Sequence, residues 1–311
     1  MRVVLTGAGG QLGVDLAGVL PGAGDLVALD HTALDVTSPT AVRDLFERIR
    51  PDIVVNAAAY TDVDRAEEQQ AACSSVNEAA PALLAEHCRS YGALLIHYST
   101  DYVFDGTANE PYRETDPTAP LNVYGRTKRN GELAIAALAG SYLIFRCSWL
   151  YSGHGKNFVR TILRLARERS ELTVVDDQVG CPTSTASVAE ATSVVLAKLT
   201  GDGWPADGTR ADWSGIYHLR AAGQTNWYQL ALAALEEDPA RHEHLCERVT
   251  PVSSERWPAR AKRPRYSVLD TAKAASTFGV SLSPWRSELS RLMTSGAFAP
   301  EQAVARGPAR Q

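Results

Sequence analysis

No stretch of this chain approaches the run of about 18 apolar residues that a membrane-spanning helix needs, so no span is expected. It has no long run of lysine or arginine either, and its formal net charge is −5. A nucleic-acid surface depends on clustered positive charge, so none is suggested. There is no C-x-x-C. The five cysteines, Cys73, Cys88, Cys147, Cys181 and Cys246, are odd in number and scattered, which fits reduced thiols better than a disulfide framework. His242 and His244 form a lone H-x-H with no Cys or His cluster beside it, read as a solvated helix end, so no metal is expected. The apolar run in Met1–Gly7 is too short for a signal peptide, and a cytoplasmic protein is expected. There is no internal repeat.

What remains is an ordinary globular composition, with 45% hydrophobic and 22% charged residues. At 311 residues the chain is long enough for two lobes, or for one large domain with an elaborated end. Apolar β-branched runs alternate with helical patterns through the first half. Strands are expected at Arg2–Leu5, Leu26–Leu29, Ile53–Ala57 and Leu94–Tyr98. Helices are expected at Leu12–Leu20, at Pro39–Ile49 with Ser38 as N-cap, and at Asn77–Tyr91. Such alternation implies βαβ units, right-handed crossovers and a parallel sheet. After about residue 150 the pattern changes. Residues 201–215 read as a surface loop or lobe connection, Trp227–Glu237 as a helix, and 299–311 as a disordered tail.

Gly7, Gly10 and Gly13 make G-x-x-G-x-x-G directly after the first strand and before a helix. Glycine allows a tight turn and a close approach of backbone to a pyrophosphate, and the helix behind it presents free N–H groups and its positive end. The triplet alone is weak; its place at the first strand–helix turn makes it a dinucleotide fingerprint. Asp30, at the end of the second strand, is placed to accept from the adenosine ribose hydroxyls. A solvent-facing strand-end aspartate is the alternative reading. NADH and NADPH both stay open.

Tyr124 and Lys128 form Y-x-x-x-K, and on a helix positions i and i+4 share a face. A phenol has an ordinary pKa of roughly 10; a nearby ammonium lowers it, and the protonated form is a fit acid for a carbonyl oxygen becoming an alkoxide. The spacing is common by chance. What gives it weight is Ser99-Thr100-Asp101-Tyr102, 24 residues upstream at a strand's carboxyl end, where doubly wound sheets bind their ligands. Thr100 is the expected hydrogen-bond partner of the substrate carbonyl, Ser99 its competitor, and strand capping the bland alternative.

Together these features resemble the extended short-chain dehydrogenase/reductases. Further phrases narrow the likeness: Asn56-Ala57-Ala58-Ala59-Tyr60-Thr61, His97 to Phe104, Pro120 to Gly125, Phe145 to Tyr151, Asp177 to Thr183, and Arg263-Pro264. In this order they resemble the dTDP-4-dehydrorhamnose reductase family, over Met1 to about Met293. The resemblance implies an α/β fold, a Rossmann-type doubly wound parallel sheet with a smaller C-terminal α/β substrate-binding lobe. The cofactor domain would occupy 1–170, with later segments free to return to it, and 171–298 would be mainly the substrate lobe. It implies NAD(P)H-dependent reduction of the C4 ketone of a dTDP-linked 6-deoxy-hexulose to dTDP-L-rhamnose. Tyr124, Lys128 and Thr100 would be catalytic. Gly7, Gly10, Gln11, Leu12 and Gly13 would line the pyrophosphate, Asp30 the ribose, and Asp35 and Val36 the adenine. Ala58, Ala59, Tyr60 and Tyr98 would follow the cofactor toward its nicotinamide, which Tyr124 and Lys128 also reach. Thr100, Asp101 and Trp149 would meet the sugar, with a core tryptophan as the alternative for Trp149, and Arg263 would meet the diphosphate, with a surface arginine as its alternative. Some members pair subunits through magnesium held by glutamates; the equivalent positions here are Asp15, Ala186 and Ser295, which argues for no metal and leaves monomer or homodimer open.

Two rival readings share the pattern. One is a sister ketoreductase for another dTDP-4-keto-6-deoxy sugar of secondary metabolism. The other is a non-catalytic NADP-binding regulatory subunit, such as that of methionine adenosyltransferase, against which the complete Thr100, Tyr124 and Lys128 set argues. A dehydratase would want an acid/base pair of carboxylates after the strand-end threonine, and here Asp101 is followed by Tyr102.

Overall fold

Residues 1–201 and 213–298 are described by a computed structural model. Most of the expected 201–215 loop, and the tail from 299, lie outside those residues. Five strands, β1 (Arg2–Thr6), β2 (Asp25–Leu29), β3 (Ile53–Asn56), β4 (Leu94–Thr100) and β5 (Ser141–Cys147), join a sixth at Gly215–His218. Their order across the sheet is β2-β1-β3-β4-β5-sixth strand, and every pairing is parallel. This is the doubly wound α/β arrangement expected from the sequence. β3 and β4 are buried along their whole length and β1 beyond its first residue, because helices cover both faces; hence their near-continuous apolar runs.

Side chains alternate between the two faces. Val3, Leu5, Ile53, Ile96 and Phe145 point into one core, shared with helices Gln11–Val19 and Thr185–Gly201. Val4, Val54, Leu95 and Ile144 point into the other, under helices Pro39–Ile49 and Ala80–Tyr91, which Ile135 of helix Val123–Leu138 joins. Helices Pro39–Ile49 and Trp227–Glu237 have the expected bounds, and Ser38 Oγ accepts from Ala41 N at 3.3 Å as the cap. β4 runs two residues past its expected end, to Thr100. The helix expected from Asn77 starts earlier: Gln70–Ser74 leads through a π-turn at Ser75–Ala79 into Ala80–Tyr91. The wide turn holds Asn77, whose amide clasps the backbone of Tyr60 in both directions.

Other segments build smaller cores. Tyr151, Val159, Leu163, Leu230 and Leu289 pack together, as do Ile162, Ala166, Leu172 and Val174. A parallel pair, Glu171–Val175 with Arg248–Val252, flanks them. Thr185–Gly201 and the sixth strand, though late in sequence, pack with the large sheet. The chain leaves β1 toward β2 on one side and resumes at β3 on the other, so a crevice opens at the carboxyl ends of β1 and β3. Among the described residues no helix is long and apolar enough to cross a membrane.

Candidate active site

Two clefts of about 400 and 410 Å³ meet at Gly10, Ala57 and Ala59 and together run along those carboxyl ends. The turn after β1 fits a bound phosphate. Gly7 has φ +72°, and a Cβ there would stand 2.5 Å from Ala58 N; one on Gly13 would stand 2.1 Å from Gly7 O. Both glycines are therefore obligatory to the shape. Gly10 leads into helix Gln11–Val19, whose first turn has no side-chain cap, which leaves its N–H groups for an anion. Gln11 turns its side chain elsewhere: Oε1 accepts from Asn157 at 2.9 Å and Ser152 at 3.2 Å, and Nε2 donates to the Lys156 carbonyl. Leu12 lines the cleft.

The second cleft is walled by Asp35 and Val36 on one side and by Ala58, Ala59 and Tyr60 on the other. Asp30 lies half-buried beside Gly9, which lines this cleft. Its Oδ1 accepts from the hydroxyl and amide of Thr32 and the amide of Ala33, which together hold its pKa below the usual value. Asp35 Oδ1 is bound in the same way by Thr37 and is likewise lowered.

The first cleft collects the catalytic candidates. Thr100 and Asp101 come from the end of β4, and Tyr124 and Lys128 from helix Val123–Leu138, started by Asn122 Oδ1 accepting from Gly125 N at 2.7 Å. Burial raises the Tyr124 phenol well above its ordinary pKa, opposed by a hydrogen bond with Thr100. Tyr102 packs edge-on against its ring, centroids 6.0 Å apart. Lys128 Nζ is not placed as the sequence suggested. It lies 3.1 Å from His97 Nε2 and donates to the Tyr98 carbonyl at 2.5 Å. The cation expected to pull the phenol down is drawn toward the sheet, and the phenol's shift is upward. Such a phenol stays protonated across neutral pH, which suits an acid. Tyr98 commits its own hydroxyl to Thr192 at 2.8 Å.

Asp101 is buried. Its carboxyl receives hydroxyls from Thr100 (3.1 Å), Ser148 (3.2 Å) and Ser267, yet burial outweighs them and lifts its pKa to about 6. Ser99 lines the cleft, and its Oγ is buried without a hydrogen-bond partner among the described residues. Trp149 has φ +46°, the left-handed region that a bulky residue adopts only under constraint. The constraint is a parallel stack on Trp227, centroids 3.6 Å apart at 6°, so one face of Trp149 is already covered. Arg263 is not at the cleft wall. Its guanidinium binds Asp64 through Nη2 (2.7 Å) and Nη1 (3.2 Å), with Tyr102 as a further partner. Lys156 is the cation that lines the cleft near Gln11. Asp15, outside the cleft, is engaged by Thr185 and His154.

Sequence reasoning missed His97, Trp227, Ser148, Ser267 and Lys156. Each meets its partner from a distant segment, and only His97 and Ser148 fall inside the phrases that carry the family likeness.

The description "RmlD substrate binding domain" belongs to a family whose sequence model matches residues 1–297. The dTDP-4-dehydrorhamnose reductase of Burkholderia thailandensis is 43% identical over 289 residues, covering 92% of this chain and 96% of that protein. The Escherichia coli reductase of the same name is 39% identical over 298 residues, covering 94% and 97%. Among solved structures, the Bacillus anthracis dTDP-4-dehydrorhamnose reductase in complex with NADP superposes with a TM-score of 0.84 at 34% identity, covering 94% of this chain and 99% of that one. The Clostridium acetobutylicum protein gives 0.85 at 36%, covering 95% and 99%.

Proposed function

The chain belongs to the RmlD substrate binding domain family, that of the dTDP-4-dehydrorhamnose reductases, and from that membership we propose that it reduces the C4 ketone of dTDP-4-dehydro-6-deoxy-L-mannose to dTDP-L-rhamnose. NADPH or NADH supplies the hydride when bound. The observation that carries the reading is the meeting of Thr100, Tyr124 and Lys128 at the carboxyl end of β4, in one cleft with the glycine turn.

In this reading the glycine turn and the free amides of helix Gln11–Val19 hold the pyrophosphate, and Asp30, Asp35 and Val36 hold the adenosine end. Ala58, Ala59, Tyr60 and Tyr98 wall the path between them and the chemistry. Thr100 orients the ketone oxygen, and Tyr124 gives it a proton. The raised proton affinity of Tyr124 keeps that proton in place until negative charge develops on the substrate oxygen. Lys128, one helical turn on, holds the cofactor's ribose side. Asp101 and Trp149 bound the sugar. Trp149 offers it the edge and the face left free by Trp227. Lys156 faces the diphosphate, and Arg263 steadies Tyr102 from outside. Residues 171–298 are mainly the substrate lobe, apart from the segments that return to the sheet.

The test mixes the purified protein with dTDP-4-dehydro-6-deoxy-L-mannose, with NADPH and NADH in parallel, and identifies the product by NMR. Turnover to dTDP-L-rhamnose is expected. Tyr124→Phe should bind the cofactor normally and turn over about 10²- to 10⁴-fold more slowly. Near-normal turnover by that variant would remove Tyr124 from the role of acid. Cofactor binding without any turnover by the native protein would move the substrate to another dTDP-keto sugar.

A further inference from the structure

Thr6, Asn56 and His97 occupy one row across β1, β3 and β4, as direct register partners on neighbouring strands. All three are buried, and so is Lys128, which caps the row from the helix above. Thr6 Oγ1 donates to Asn56 Oδ1 at 2.7 Å, and Asn56 Nδ2 stands 3.0 Å from His97 Nδ1. His97 Nε2 stands 3.1 Å from Lys128 Nζ.

The proton positions in this row follow from one backbone group. Ala58 N–H lies 3.1 Å from the same oxygen of Asn56, and an amide N–H can only donate. The Asn56 oxygen must therefore face Ala58 and Thr6, so its NH2 faces His97 Nδ1. That nitrogen must accept. A neutral imidazole with a bare Nδ1 carries its proton on Nε2, pointing at Lys128 Nζ. An ammonium there would set donor against donor. An amine resolves the conflict: its lone pair accepts from Nε2–H while one of its own protons goes to the Tyr98 carbonyl. The other arrangements fail, because an imidazolium or an Nδ1–H tautomer would meet the Asn56 NH2 head-on.

We propose that His97 is a positioning residue that favours the uncharged amine of Lys128 over its ammonium in the cofactor-free protein. The surroundings agree. Burial pushes the Lys128 ammonium down to about 8, which brings the amine within reach just above neutral pH, and burial drives His97 well below its ordinary value, so that it stays neutral. The other ionisable groups facing Lys128 are Glu132 on its own helix, which is spoken for by Arg146, and the thiols Cys147 and Cys73; all three act to raise Lys128 and do not overcome burial. Drawing Nζ away from His97 frees it to protonate, placing a positive charge one helical turn from Tyr124. Lys128 is then a switchable cation rather than a fixed one. This meaning rests on the reductase reading, but the proton positions do not, and their test involves no turnover.

The test uses protein carrying 15N-histidine and 13C,15N-lysine, in which Lys128 needs to be told only from Lys156, Lys198, Lys262 and Lys273. In the cofactor-free native protein, His97 should show a bare Nδ1 and a protonated Nε2, and Lys128 should titrate near 8. His97→Gln, which keeps an N–H donor at the Nε2 position, should leave that midpoint in place. His97→Met, which offers only a weak acceptor, should raise it by at least one pH unit, a tenfold gain in proton affinity. Asn56→Asp should raise it too, since its carboxylate takes Nδ1–H and frees Nε2 to accept from an ammonium. An Nδ1–H tautomer in the native protein overturns the proposal, as does an unmoved midpoint in both His97→Met and Asn56→Asp. The native tautomer decides the matter if the variants do not fold.

Discussion

A single carboxyl shows how the site trades stability for chemistry. Asp101 has its pKa lifted by burial from 3.8 to about 6, despite three hydroxyl partners. Between those values the folded state binds more protons than the unfolded chain, so this group's contribution is full below pH 4 and is lost as pH rises through 6. Two pKa units correspond to about 3 kcal/mol. Urea unfolding at pH 4.5 and pH 7.5 should show the native protein losing a share of this order that Asp101→Asn does not lose. Equal pH dependence in both would mean that Asp101 is not the group responsible.

At the scale of elements, the glycine turn carries the sharpest prediction. A Cβ on Gly13 would stand 2.1 Å from Gly7 O, so Gly13→Ala must push the turn open. Cofactor affinity should fall at least tenfold by fluorescence titration, while the far-ultraviolet spectrum stays native; unchanged affinity would place the phosphate elsewhere. This turn was legible in the sequence because its chemistry is local: a buried strand, three spaced glycines, then a helix. So were β3, β4 and the helix begun by Ser38 and Pro39, whose apolar periodicity and cap lie within a few residues. Tyr124 and Lys128 were legible for the same reason, as neighbours on one helix face. What could not be read was which group Lys128 meets. His97 lies 31 residues away and Asn56 a further 41, joined only by strand register. The family resemblance put Arg263 at the diphosphate, and nothing in the sequence pointed to its partner Asp64, 199 residues distant. The π-turn at Ser75–Ala79 was invisible because the residues on both sides are ordinary helix formers.

At the scale of the molecule, buried charge ties the elements behind the site together. Arg146 of β5 meets Glu132 of the catalytic helix through two bonds, at 2.7 and 2.9 Å, both residues almost fully buried, and stacks over Phe104. Glu132→Ala would strand the guanidinium without its anion, and a loss of roughly 3–5 kcal/mol is expected by urea unfolding. A loss below 1 kcal/mol would show that water reaches Arg146. The remaining joint is apolar. Trp149 follows β5 and Trp227 begins a helix nearly eighty residues later, yet their indoles lie parallel at 3.6 Å on the wall of the cleft. Indoles this close share their excited states, so the pair carries an optical signature that separated tryptophans lack. Their emission overlaps the absorption of reduced nicotinamide, whose proposed seat is the same cleft. The protein thus contains its own spectroscopic reporter, able to register the arrival of cofactor and of sugar nucleotide without an added dye.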